Sequence, residues 1–231
     1  MKYYMYSEKH IVKIVGILFI TATVTSSLSI WLSEPVLEAK NLLEMFSHKS
    51  SEIAWASLLM LMDAISVAFI AILLFPILKK KSESLALGYV GMRIMESILF
   101  VIYVVVLLTI LSISNEYSAS TIQDSSTTIG PTLLILAKWT FDIGLGIIFT
   151  ISALLLNYTL FRFALVPRWL SAWGFLGALV TMIIVLLKFY NNIHVTEVLD
   201  FIIGIQEMVF AIWLIAKGLD INHQKQEGIN V

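Results

Sequence analysis

Six long apolar runs constrain this chain more than any other feature. They cover residues 11–32, 53–78, 85–113, 132–161, 169–190 and 198–217. About 20 apolar residues in a helix cross the hydrocarbon core of a bilayer, and the runs are continuous, without the period-two alternation of membrane barrels. The composition agrees, because 59% of the residues are hydrophobic and only 13% are charged. We therefore expect an all-α polytopic membrane helix bundle with six transmembrane helices, in which residues 1–219 form a single domain and 220–231 form a polar tail.

The distribution of Lys and Arg between the connections predicts the orientation. Ten of the 15 basic residues lie on one side of the six runs, three lie on the other side, and Arg93 and Lys138 lie inside runs. Cytoplasmic loops carry the excess of basic residues, so both termini and the tail should be cytoplasmic. The connections Lys79–Ser84 and Arg162–Arg168 are short, which indicates antiparallel neighbouring helices. We expect a multi-pass protein of the plasma membrane.

The two longer outer connections are polar. Ser33–Glu52 is either an amphipathic surface helix or an ordinary polar loop, because its apolar residues Leu42, Leu43 and Phe46 are spaced nearly as in a helix. Ser114–Gly130 is rich in Ser and Thr and is predicted to be a flexible loop.

Ionisable residues stand in the middle of the apolar runs. A charge at the centre of a membrane helix costs about 2.5–3.5 kcal/mol, so such residues usually face a partner or a cavity. With a rise of ~1.5 Å per residue, the four acids among them come to lie ~13–16 Å deep, in one layer near the midplane. This layer is the predicted binding site: Asp63, Arg93, Glu96, Lys138, Asp142 and Glu207.

Helical spacing places several of these residues on shared faces. Lys138 and Asp142 are four residues apart, and Asp63 shares a face with Ser66. The fifth run has a face of small residues that suits close packing of helices, formed by Ser171, Gly174, Ala178 and Thr181. In the third run, a three-four spacing predicts one polar and aromatic face, formed by Tyr89, Arg93, Glu96, Phe100 and Tyr103.

The layer carries an excess of negative charge. Four acids against two basic residues leave a formal charge of −2. At least one acid is therefore expected to be protonated, or the layer holds water or a cation. Two simpler interpretations remain open. Arg93 and Glu96 could only hold the bundle together, and Lys138 could extend outward to the membrane surface.

Several classes of protein are excluded or receive no support. The chain has no Cys, and its four His lie at the ends of runs or outside them, without an HExxH motif. Thiolate chemistry is therefore excluded, and a zinc hydrolase is not supported. Nothing in the sequence requires a cofactor or a metal ion. The net charge of −1 gives no reason to expect a nucleic-acid partner. The partners we expect are membrane lipids and a small-molecule or ion ligand.

Three stretches resemble the bacterial and archaeal membrane family called domain of unknown function 4386. They are Gly91–Glu96, Leu165–Leu170 with the following Gly174 and Gly177, and Glu207 with Ala211–Gly218. The resemblance covers about residues 10–219 and implies a prokaryotic multi-pass membrane protein without an assigned activity. It implies that the motif positions are Arg93, Glu96, Pro167, Arg168 and Glu207. Asp63, Lys138 and Asp142 do not map onto its pattern.

Three functions are compatible with the sequence. The leading hypothesis is an integral membrane protein that binds or transports a small solute, a cation or a proton, with Glu96 and Glu207 as principal acids and Arg93 as counter-charge. One alternative is a non-catalytic membrane partner or sensor, in which the charges only specify helix pairing. The other is a membrane-embedded enzyme that acts on a lipid or isoprenoid, with two acids as general acid and base.

Overall fold

The computed structural model describes residues 2–119, 126–191 and 198–220, and these residues form helices and short connections without a strand. A seven-residue π-helical segment, Asp142–Ile148, joins α5 to α6. The α-helices are α1 (Lys2–Leu37), α2 (Leu42–His48), α3 (Ser50–Lys79), α4 (Glu83–Ala119), α5 (Ser126–Phe141), α6 (Phe149–Arg162), α7 (Arg168–Asn191) and α8 (Val198–Ala216).

Five stretches of helix are long and apolar enough to cross a membrane: Glu8–Leu37, Ser50–Lys79, Glu83–Glu116, Ile129–Arg162 and Arg168–Leu187. The sixth predicted span coincides with α8, whose side chains are described from Ile203 and which is a shorter apolar helix over Ile203–Ala216. Large apolar side chains such as Trp31, Leu87 and Ile212 are exposed on the outside of the bundle. Such an apolar exterior suits lipid, so the chain is a membrane protein.

The long helices pack in a closed order. α1 contacts α3, α3 contacts α4, α4 contacts α6, α6 contacts α7, α7 contacts α8, and α8 returns to α1. Side-chain hydroxyl groups form hydrogen bonds across two of these interfaces. Ser29 of α1 donates to the Ala56 carbonyl of α3 at 2.7 Å, and Ser97 of α4 donates to the Ala64 carbonyl of α3 at 2.8 Å. A ring of helices surrounds one interior, so polar residues on different helices can meet there.

The short connections agree with the prediction, whereas the longer ones differ from it. α3 ends at Lys79 and α4 begins at Glu83, and α6 ends at Arg162 before α7 begins at Arg168. α1 continues through Pro35 to Leu37, so the loop expected to begin at Ser33 is shorter. Pro35 has no N–H to donate to the carbonyl four residues earlier, so the last turn of α1 contains one hydrogen bond fewer.

Part of that loop forms the short helix α2, one of the two alternatives for this segment. Its apolar residues Leu42, Leu43 and Phe46 are buried, and Ser114 of α4 donates a hydrogen bond of 2.5 Å to the Leu43 carbonyl. α2 therefore packs on the bundle. The Ser114–Gly130 loop was also predicted too long, because α4 extends to Ala119 and α5 begins at Ser126. The centre of this loop, 120–125, and the polar tail beyond Asp220 lie outside the described residues.

Candidate functional site

Arg93 lies at the centre of the bundle and pairs with two acids. Its Nη1 lies 3.2 Å and 3.3 Å from the two carboxylate oxygens of Glu96, one turn further along α4. Its Nη2 lies 3.5 Å from Oε1 of Glu207 on α8. The side chains of Arg93 and Glu96 are 3% and 2% exposed, whereas that of Glu207 is 19% exposed. The predicted face of α4 is buried as expected, from Tyr89 to Tyr103.

Aromatic rings enclose the guanidinium group. The Arg93 Cζ lies 5.8 Å from the ring centre of Phe19 on α1, 5.7 Å from that of Tyr89 and 5.3 Å from that of Phe149 on α6. Such cation–π contacts stabilise a desolvated cation by about 2 kcal/mol. The Nε atom of Arg93 is buried without a hydrogen-bond partner, and so is the Tyr89 hydroxyl group. Arg93 thus retains an unused donor in a largely dry interior.

A third acid belongs to the same group. Asp63 of α3 is 3% exposed and lies within electrostatic range of Glu96, Arg93 and Glu207. The described residues form no ion pair with it. Three carboxyl groups on three helices therefore lie within electrostatic range of one guanidinium group. We call Asp63, Arg93, Glu96 and Glu207 the buried charge cluster.

The structure does not bring Lys138 and Asp142 into this cluster. Both side chains are exposed on the outside of the bundle, so the expectation that they face the interior was wrong. The four-residue spacing correctly placed them on one side of the helix but could not say which side. The interior side presents Ala137, Thr140 and Gly144, which are buried. A residue larger than Gly144 would press on Phe100 of α4, because a Cβ there would lie 3.3 Å from that ring.

Sequence reasoning missed two neutral polar residues beside the cluster. Asn157 of α6 and Gln206 of α8 are 5% and 3% exposed, and they line a small cavity together with Arg93 and Glu207. This cavity, which we call the amide cavity, offers about 10 Å³ to the centre of a water molecule, roughly room for one water. The sequence signal that could have identified them is an amide side chain inside an apolar run. A buried amide needs hydrogen-bonding partners, as an ionised group does.

A larger open pocket lies at the turn between α6 and α7. Its volume is about 640 Å³, and its lining includes Pro167, Arg168, Trp213 and Lys217. Two residues of this lining adopt a left-handed backbone, Ala164 with φ of 47° and Gly218 with φ of 78°. We call it the hairpin pocket. The hairpin pocket is lined by the stretch around Pro167 and by the stretch around Trp213, which are far apart in the sequence.

Comparison with protein families assigns the chain to a family. The model of the family described as "Domain of unknown function (DUF4386)" matches residues 14–218. The chain belongs to this family. No curated protein and no solved structure matches the chain. In this DUF4386 protein, the five motif positions implied by the family resemblance lie at two different sites. Arg93, Glu96 and Glu207 meet in the buried charge cluster, whereas Pro167 and Arg168 line the hairpin pocket.

The chemistry open to this DUF4386 protein follows from the groups that meet. Among the described residues, no set of three His, Cys, Asp or Glu is close enough to hold a metal ion. Carboxyl groups beside a fixed guanidinium group can accept and release protons. Of the residues in the two ion pairs of Arg93, Glu207 has the most exposed side chain. The arrangement suits proton exchange at carboxyl oxygens.

Proposed function

We propose that this protein is a six-span membrane protein with both termini in the cytoplasm, and that it binds protons at its buried carboxyl groups and moves them across the membrane. Asp63, Glu96 and Glu207 are the proton-binding groups, and Arg93 holds two of them in place. Lys138 and Asp142, which were part of the sequence-based site, do not belong to it.

The charge of the cluster carries this proposal. Three carboxyl groups against one guanidinium group leave a formal −2 when all are ionised. Asp63, Arg93 and Glu96 are almost fully buried, and an uncompensated charge in such surroundings is strongly unfavourable. Protons are the smallest charges that can balance the excess, and their binding needs no change in the packing of the helices.

The size of the cavity favours a proton over a solute. The amide cavity has room for roughly one water molecule, which is enough for a proton carrier and too little for a metabolite. The small size of the cavity also gives less support to a lipid-processing enzyme. The substrate of such an enzyme would need an opening towards lipid beside Glu96 and Glu207.

Proton flux into liposomes tests the proposal. The purified protein would be reconstituted with a trapped pH-sensitive dye, and a potassium gradient with valinomycin would drive protons inward. We expect flux above that of empty liposomes with wild type, and flux at the level of empty liposomes with Glu207→Gln. Glu83→Gln is the matched control, because Glu83 is exposed and its ion pair is with the exposed Lys79, at 2.7 Å. Equal flux in wild type and Glu207→Gln would refute proton movement through the cluster.

A non-catalytic membrane partner or sensor is the second candidate. The observation that favours it is the geometry of Arg93, which contacts acids on its own helix and on α8 and could serve only to pair these helices. Exchange of the charges, Arg93→Glu with Glu96→Arg, separates the two functions. A folded double variant that keeps its cellular phenotype would support pairing alone, whereas loss of the phenotype would support a role in proton exchange.

A further inference from the structure

The amide cavity lies between α1, α4, α6 and α8, and the hairpin pocket lies at the turn from α6 to α7 beside the end of α8. Asn157, Gly174 and Gln206 surround the inner position, and Ala164, Pro167 and Trp213 line the outer pocket. Each outer residue is seven positions from an inner one, and on α8 both Gln206 and Trp213 lie within the helix, whereas Ala164 follows α6 and Pro167 precedes α7. Seven residues make nearly two helical turns, so Gln206 and Trp213 share a face of α8 and are separated by about 10 Å.

The inner position is polar and tightly packed. Asn157 donates to the Ala153 carbonyl at 2.9 Å, and Gln206 donates to the Leu170 carbonyl at 3.5 Å. Both amides occupy the space that a side chain at Gly174 would need. A Cβ at residue 174 would overlap Oδ1 of Asn157 and lie 2.6 Å from Nε2 of Gln206. The missing side chain of Gly174 thus permits two amides to stand beside the charge cluster.

The cavity next to these amides contains an unsatisfied donor. Arg93 lines the amide cavity, is 3% exposed, and keeps its Nε without a hydrogen-bond partner. Glu207 lines the same cavity. A buried water needs two to four polar partners, and the cavity supplies an amide, a carboxylate and a guanidinium group. The cavity therefore has the size and the lining of a site for a single water molecule.

Apolar side chains separate this site from the hairpin pocket. Leu160, Leu170 and Phe210 stand in the sequence between the inner and the outer residues and are at most 3% exposed. The carbonyl of Leu170 interrupts this layer, because it accepts the hydrogen bond of Gln206. The interface thus consists of an open outer pocket, a thin dry layer and an inner polar site.

We propose that the amide cavity binds a water molecule and that the α6–α7–α8 interface is the route by which protons reach Glu207 from the hairpin pocket. In this conformation the apolar layer closes the route. Asn157 and Gln206 hold the water that passes the proton to the Glu207 carboxyl. This inference rests on the proposed function, since it assigns the entry to the same buried carboxyl groups.

Exchange of a carboxyl proton for deuterium tests the route. A protonated carboxyl group has a carbonyl infrared band that shifts in deuterium oxide, and the rate of the shift reports access to the group. The band is assigned by its loss in Glu207→Gln. The variants are Gly174→Ala, which displaces both amides, and Gln206→Met, which removes an amide at nearly constant volume. Gly177→Ala is the matched control, because the nearest atom to a Cβ there is 3.9 Å away.

We expect exchange to slow by about tenfold or more in Gly174→Ala and in Gln206→Met, the effect of losing about one hydrogen bond. Gly177→Ala should exchange at the wild-type rate. Should Gly174→Ala fail to fold, Gln206→Met decides alone. Wild-type rates in the folded variants would overturn the route while leaving the proposed function intact. If wild type shows no carboxyl band from Glu207 at any pH at which it is folded, the proposed function fails first.

Discussion

Arg93 on α4 and Glu207 on α8 are separated by 114 positions in the sequence and by 3.5 Å between Nη2 and Oε1. This contact joins helices that are not neighbours in the packing order of the ring, so it crosses the interior. Substitutions of Arg93 or Glu207 therefore test the interactions at the centre of the bundle.

Arg93→Gln should destabilise the protein strongly. The change leaves buried carboxyl groups without their counter-charge, and removal of one partner of a buried ion pair costs about 3–5 kcal/mol. We expect a clearly lower Tm for the detergent-purified protein. Arg162→Gln is the control, because Arg162 is exposed at the end of α6 and should shift Tm little. A Tm equal to that of wild type for Arg93→Gln would contradict the central role of this residue.

Glu96→Gln and Glu207→Gln should fold as well as wild type, because each reduces the excess negative charge and keeps the shape of the side chain. Their Tm at neutral pH should equal or exceed that of wild type, whereas the proton flux should fall. Tm and flux would be measured on the same preparations. Early melting of both variants would instead show that the ionised carboxylates stabilise the fold.

Gly16→Ala should weaken the contact between α1 and α8. A Cβ at residue 16 would lie 2.7 Å from Cγ1 of Ile215 and 2.8 Å from the backbone oxygen of Ala211, so the helices must separate. We expect a loss of about 1–3 kcal/mol in stability, typical of overpacking. Gly204→Ala on α8 serves as control, because no atom of another described helix lies within 4 Å of a Cβ there. The Tm of Gly204→Ala should be unchanged or higher. An unchanged or higher Tm for Gly16→Ala would contradict the close packing of α1 and α8.

Lys138→Gln and Asp142→Asn should leave the buried charge cluster unaffected, because both side chains are exposed on the outside of the bundle. We expect changes in stability of no more than about 0.5 kcal/mol and wild-type proton flux. A loss of flux in either folded variant, as large as that of Glu207→Gln, would return these two residues to the functional site.

The buried face of α4 and the small-residue face of α7 could be predicted from spacing alone. Tyr89, Arg93, Glu96, Phe100 and Tyr103 are all buried, and Ser171, Gly174, Ala178 and Thr181 are buried as well. The period of the helix places such residues on one side, and the mixture of polar with small or aromatic groups marks that side as the interior. The same reasoning misplaced Lys138 and Asp142, because a pair of charges on one side does not show where that side points.

Asn157 and Gln206 were not found, because a neutral amide inside an apolar run stands out less than a charge does. Their importance depends on Gly174, which belongs to a third helix and whose missing side chain gives them space. Three positions on three helices produce this feature, and a linear pattern does not reveal it.

The sequence by itself determined the helical membrane architecture, the approximate positions of its long helices and three acids of the buried site, since hydrophobicity and helical period are local properties. Only the tertiary structure decided that Arg93 contacts Glu207, that Lys138 and Asp142 face outward, and that the amide cavity and the hairpin pocket both border on α8. These features depend on the rotation of each helix about its axis, and packing against the neighbouring helices sets that rotation.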